Sequence, residues 1–138
     1  MKLAVVIPCY NENDRLDLLL VDRLMQGLMS VEPETTVLFV DDGSTDQTAA
    51  MLQGLSNSNS QISFLHLPKN VGKAEAVREG LNRSIADGAE IVGYCDADFA
   101  TPPEEIIRLI SYAKDHPEYE AIIGSRVALA GYAIKRSH

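Results

Sequence analysis

The sequence predicts an α/β fold, a mostly parallel, doubly wound sheet with helices on both faces. Three observations carry that prediction. Short apolar runs take turns with stretches of helical periodicity along the chain. The runs are continuous, as in strands buried on both faces, and do not alternate with polar residues. Polar clusters follow each run, where an open α/β sheet gathers its ligand-binding residues. With 138 residues and 46 % hydrophobic content, the chain is the size of one domain with a real core.

Leu3 to Ile7 is the first strand, stopped by Pro8. From Asp14 onward, Leu16, Leu19, Leu20, Leu24 and Leu28 recur at helical spacing. Thr36 to Val40 is the second strand, and Ser44 with Gln47 fits a capping box opening a helix that runs to about Leu55. Ser56 to Gln61 reads as a polar loop. Ile62 to Leu67 is the third strand, ended by Pro68. Ala74, Val77, Leu81 and Ile85 mark the next helix, with Gly88 as its stop. Ile91 to Cys95 is the fourth strand. Thr101 and Glu104 form a second capping box, with Pro102 and Pro103 where a first turn tolerates them. That helix reaches about Lys114, and Ala121 to Gly124 is a fifth strand. The order βαβαβαβαβ contains no internal repeat and implies parallel pairing.

Lys plus Arg number 12 against 20 Asp plus Glu, a net charge of −8. Nucleic-acid binding needs a basic face and is not expected. Cys9 and Cys95 end two apolar runs and read as small buried side chains, close together if those strands are neighbours, and reduced. No signal peptide is visible, and no apolar stretch approaches the ~20 residues of a membrane span. The expected location is cytoplasmic. The sequon Asn82-Arg83-Ser84 falls inside a helical pattern.

The residues after the strands should open on one edge of the sheet. They are Pro8-Cys9-Tyr10-Asn11-Glu12, Asp41-Asp42-Gly43-Ser44, Lys69-Asn70-Val71-Gly72-Lys73, Asp96-Ala97-Asp98 and Ser125-Arg126. Four aspartates on one edge repel unless something compensates them. Helix capping accounts for Ser44 and Thr101, but Asp41, Asp96 and Asp98 precede the cap positions. If the extended chain persists through Ala97, Asp96 and Asp98 face the same side. Such a pair suits Mg²⁺ or Mn²⁺, which takes carboxylates together with substrate phosphates; a solvated turn is the alternative. No G-x-G-x-x-G follows the first strand and no P-loop is present, which argues against dinucleotide and P-loop folds. A response-regulator receiver would carry its acidic pair after the first strand, whereas here the pair follows the second.

Taken together, "VVIPCYNE" (5–12), "VDDGSTDQT" (40–48), "NVGKAEAVREG" (70–80), "DAD" (96–98) and "GSR" (124–126) resemble the family 2 glycosyltransferases. The resemblance implies the Rossmann-like GT-A fold of nucleotide-diphospho-sugar transferases. Within the family the chain looks most like the dolichyl- or polyprenyl-phosphate sugar transferases. By that resemblance Pro8, Tyr10 and Glu12 line the nucleotide site, with Glu12 near base or ribose. Asp41 accepts a hydrogen bond from the base, and Asp42 supports its loop. Gly72 and Lys73 border the nucleotide, with a plain surface lysine as the alternative. Asp96 contacts ribose or metal, and Asp98 binds the metal that bridges the diphosphate. Arg126 is a donor-site or diphosphate contact, or else one half of a strand-end ion pair. Gly43, Gly80 and Gly124 serve backbone geometry and packing.

The implied reaction moves a sugar from a UDP- or GDP-sugar to an acceptor with inversion, and the metal neutralises the departing diphosphate. A hydroxyl acceptor needs a general base. A polyprenyl phosphate does not, since its second pKa is about 6. Two departures stand out. Ala100 occupies a position where relatives often carry a polar metal contact, leaving Thr101 or water to substitute. The acceptor half that normally follows "GSR" is absent from the sequence. Residues 1–126 therefore read as a nucleotide-sugar-binding domain, and 127–138 as the start of an acceptor region or a frayed tail. The expectation is a fragment of a longer enzyme, or a short relative. Alone it would bind donor weakly and turn over poorly, with any catalytic base and membrane contact lying beyond His138. A homodimer through exposed apolar surface is a further expectation. The rival readings are a non-catalytic nucleotide-sugar-binding module and a nucleotidyltransferase, although the glycine- and lysine-rich loop of the latter is missing after the first strand.

Overall fold

A computed structural model describes residues 1–124. Strands β1 (Leu3–Cys9), β2 (Thr35–Asp42), β3 (Ile62–Leu67) and β4 (Ile91–Tyr94) alternate with helices α1 (Leu18–Val31), α2 (Thr48–Ser58), α3 (Lys73–Ala86) and α4 (Pro103–Asp115). The sheet order is β3-β2-β1-β4, and every pairing is parallel. The chain steps outward from β1 to β2 to β3, then returns past both to place β4 on the other side of β1. The order thus reverses between β1 and β4, where open α/β sheets form a crevice beyond their carboxyl ends.

The central strands are apolar because helices cover both faces. Leu3, Val5, Ile7 and Cys9 of β1 join Leu24 and Leu28 of α1, Leu52 of α2, and Ile106 and Ile110 of α4 in one core. Val6 of β1 and Leu38 and Val40 of β2 turn the other way, onto Ala76 of α3. β1 is buried along its whole length, whereas β4 is only partly covered. Among the described residues no helix is long and apolar enough to cross a membrane.

Several local expectations are corrected. β1 and β2 extend two residues further than their apolar runs, through Cys9 and Asp42, because β1 and β2 pair as far as Cys9 and Asp41 and β2 pairs with β3 through Asp42. α1 begins at Leu18, capped by Asp17, whose side chain accepts from the N–H groups of Leu19 and Leu20. Residues 12–16 form a turn instead, with the Arg15 and Leu16 N–H groups on the Glu12 carbonyl. Neither capping box forms. α2 begins at Thr48, whose N–H is taken by Asp46 at 2.9 Å, and Ser44 serves another loop. α4 follows Pro102 with no side-chain cap, and Glu104 reaches Arg23 of α1 instead of closing a box. Residues 121–124 are not a strand: none of the described strands pairs with them, and Ile123 is 86 % exposed. Gly88 does end α3, at φ +96°.

Candidate functional site

Four strand ends converge on one crevice of ≈ 370 Å³. Pro8 at the end of β1 and Tyr10 and Glu12 just beyond it line it; Asp42 comes from the end of β2. Gly72 and Lys73 come from the β3–α3 connection, and Asp96 and Asp98 from beyond β4. These expected site residues are brought together by topology alone, since they lie far apart in sequence. Arg126 lies outside the described residues.

The loops are tied to one another. Asn11, at φ +51°, tolerates the left-handed region better than most residues. Its N–H donates to Ser44 Oγ at 2.9 Å, and its Oδ1 accepts from the Thr45 N–H at 2.9 Å. The Glu12 N–H donates to Thr48 Oγ1 at 2.8 Å. The first loop is therefore pinned along the second. Gly43, at φ +66°, lets the second loop approach the third, since a Cβ there would lie 2.3 Å from the Asn70 nitrogen.

The two adjacent aspartates have different tasks. Asp42 is 3 % exposed and accepts from the Val71 N–H at 2.7 Å, the Gly72 N–H at 3.1 Å and Asn70 Nδ2 at 3.2 Å. It organises the loop that starts α3. Asp41 does not line the crevice. It is fully buried, with Oδ1 accepting from the Ser44 N–H at 3.1 Å and Oδ2 lying 2.7 Å from His66 Nδ1 on β3. Sequence reasoning missed His66, which sits inside β3 one residue before its end and touches Asp41 only through the β2–β3 register. It also passed over Asn70 as a site residue, though the residue stood in view at a strand end and lines the crevice.

Asp96 and Asp98 reach the crevice by a turn. The extended chain stops at Tyr94, and the Phe99 N–H donates to the Asp96 carbonyl at 3.1 Å. Phe99 takes φ +51°, unusual for a bulky residue, and is held there by burying its ring in the core. Period-two alternation therefore does not explain the pair. Asp98 Oδ1 accepts from the Ala100 N–H at 2.9 Å, so Ala100 serves the pair through its backbone.

Charge is unevenly compensated. Lys73 Nζ forms an ion pair with Asp96 Oδ1. That contact raises the pKa of the ammonium, outweighing its partial burial. The Glu12 carboxyl titrates above the usual range: burial is the main cause, Arg15 opposes it, and Asp98 and Asp46 add to it. Cys9 and Cys95 are both free and buried, and burial foremost pushes the Cys95 thiol up to about 12 and Cys9 upward as well, so both are poor nucleophiles. Two carboxylates at Asp96 and Asp98 suit a hard divalent ion. Among the described residues no group of three His, Cys, Asp or Glu is placed to hold a metal ion.

Residues 4–131 match the family described as glycosyl transferase family 2, and the chain belongs to it. It is 37 % identical over 126 residues to an undecaprenyl-phosphate 4-deoxy-4-formamido-L-arabinose transferase of Proteus mirabilis, covering 91 % of this chain and 36 % of the relative. A protein of the same name from Photorhabdus laumondii is 35 % identical over 128 residues, 92 % of this chain and 37 % of the relative. The chain thus spans about a third of the length of these curated relatives. Among solved structures it resembles the Pyrobaculum calidifontis mannosyltransferase PcManGT in complex with GDP-Man and Mn²⁺, with TM-score 0.65 and 21 % identity over 81 % of this chain and 32 % of that one. It also resembles S. aureus TarS in complex with UDP-GlcNAc, with TM-score 0.62 and 24 % identity over 85 % of this chain and 32 % of that one. These likenesses establish the GT-A fold.

Proposed function

We propose that residues 1–126 form the nucleotide-sugar-binding part of an inverting family 2 sugar transferase that uses Mg²⁺ or Mn²⁺. The observation that carries this reading is the convergence of Glu12, Asp42, Lys73, Asp96 and Asp98 on one crevice where the strand order reverses. Tyr10, half-exposed among the lining residues, would offer a face to the base or ribose, with Pro8 lining the same crevice. Asp41 is already committed to His66 and Ser44. Its part in base recognition would be to hold the second loop in place. Asp96 and Asp98 would hold the divalent ion, which when bound supplies Lewis-acid neutralisation of the departing diphosphate. Lys73, the one cationic side chain among the described lining residues, would face those phosphates. Arg126 would add a diphosphate contact, and residues 127–138 would lead toward the acceptor region. A lipid-phosphate acceptor is supported by the names of the relatives, which are undecaprenyl-phosphate sugar transferases; the longer protein would meet it at the cytoplasmic face of a membrane.

Calorimetric titration of UDP and GDP, with and without Mn²⁺, beside Asp98→Ala tests the proposal. The expected result is Mn²⁺-dependent binding of one nucleotide, lost in the variant. Absence of binding by folded wild-type protein to either nucleotide would overturn it.

A further inference from the structure

We propose that Lys73 is a built-in stand-in for the divalent ion. Its ammonium neutralises Asp96 in the unliganded protein and moves to a phosphate oxygen when the ion arrives with a nucleoside diphosphate. The inference rests on the donor-site reading above. It makes nucleotide and metal binding interdependent through one side chain.

Three observations carry it. First, Lys73 Nζ lies against Asp96 Oδ1, an oxygen of the very carboxylate pair that suits a divalent ion. A divalent ion and an ammonium cannot share that oxygen closely without repelling each other. Second, Lys73 stands in the first turn of α3, where the helix dipole disfavours a cation and where Glu75 is the expected sign of charge. Its position is therefore explained by the crevice, not by the helix. The backbone just before it is fixed by the Asp42 carboxylate through Val71 and Gly72, so the lysine is aimed from a rigid base. Third, Glu12, Asp42, Asp96 and Asp98 line the crevice, and Lys73 is the one cationic side chain among its described lining residues. Asp42 has its three donors and Glu12 has Arg15, so it is Asp96 that would lose its cationic partner without Lys73. With both cations bound and no phosphate present, they would compete for Asp96.

The test measures Mn²⁺ alone, from the free-ion electron paramagnetic resonance signal, against wild type, Lys73→Met, Lys73→Arg and the off-site control Lys69→Met. Lys73→Met should bind Mn²⁺ about three- to fivefold more tightly, the size expected for releasing a half-exposed ion pair. Lys73→Arg, which keeps the charge, and Lys69→Met should stay within about twofold of wild type. In saturating Mn²⁺, Lys73→Met should bind UDP or GDP about tenfold more weakly, because a charged phosphate contact is gone. Lys73→Met binding Mn²⁺ no more tightly than wild type, or keeping full nucleotide affinity, overturns the inference while leaving Mn²⁺-dependent nucleotide binding by wild type intact. Wild type that binds no nucleotide with Mn²⁺ overturns the donor-site reading as well.

Discussion

Replacing Asp42 with alanine should damage both the fold and the site, and the structure sets the size of the effect. The buried carboxylate accepts three donors, from Val71, Gly72 and the Asn70 side chain. A hydrogen bond to a charged acceptor is worth about 1.5–3 kcal/mol net, so three of them in a dry site would approach 5–9 kcal/mol. The site is not dry. Val71 is 40 % exposed, and its neighbours Asn70 and Gly72 are exposed too, so the freed donors would find water. The loss should therefore be about 3 kcal/mol for Asp42→Ala. Asp42→Asn keeps one oxygen but turns an amide N–H₂ toward donors, and should cost about 2 kcal/mol. Urea unfolding followed by circular dichroism measures both. Because Lys73 follows directly on the residues that Asp42 holds, nucleotide affinity should fall with stability. An Asp42→Ala protein within about 0.5 kcal/mol of wild type would refute the claim that this carboxylate builds the loop.

Two further outcomes follow from neighbouring features. Phe99→Ala should lose about 3 kcal/mol of core burial while recovering about 1 kcal/mol from the relaxed positive φ; a net loss near 2 kcal/mol in denaturant unfolding is expected, and Phe99→Leu should lose less. Glu32 is held below the usual glutamate range, first by the hydrogen bond from Lys114, which joins the end of α1 to the last turn of α4 at 3.1 Å. A carboxylate with a depressed folded pKa stabilises above its unfolded value and loses that contribution as pH falls. The advantage of wild type over Glu32→Gln should therefore be full above the ordinary value of 4.5 and should vanish as pH falls through the lowered native one. Unfolding midpoints between neutral and strongly acid pH test this, and an advantage undiminished in acid would contradict it.

What the residues disclosed and what they concealed divide along a physical line. Strands β1 and β2 were legible because burial on both faces leaves an unbroken apolar run, and their polar ends marked the crevice before any contact was known. The helix starts were less legible. Ser44 and Thr101 satisfy the local pattern of a cap, but Ser44 Oγ accepts from Asn11, thirty-three residues earlier in the chain. A local signal loses when a tertiary partner offers a better bond. Asp96 and Asp98 share the crevice, but through a turn and not through strand alternation, with the Phe99 N–H donating back to the Asp96 carbonyl and its ring buried in the core. The bond from His66 to Asp41 was invisible because it exists only in the parallel register of β2 and β3. The expected fifth strand rested on an apolar run alone; none of the described strands pairs with that run, and Ile123 is exposed.

The bonds between the first and second loops have a thermodynamic consequence for recognition. Asn11, Ser44, Thr45, Glu12 and Thr48 secure one another through bonds within the chain. Immobilising a segment at the moment of association would subtract from affinity. Here that ordering entropy has been surrendered during folding, when the hydrophobic core forms. A sugar nucleotide would then meet a nearly finished mould, and loosening Asn11 would slow nothing in the chemistry itself while making every encounter less retentive.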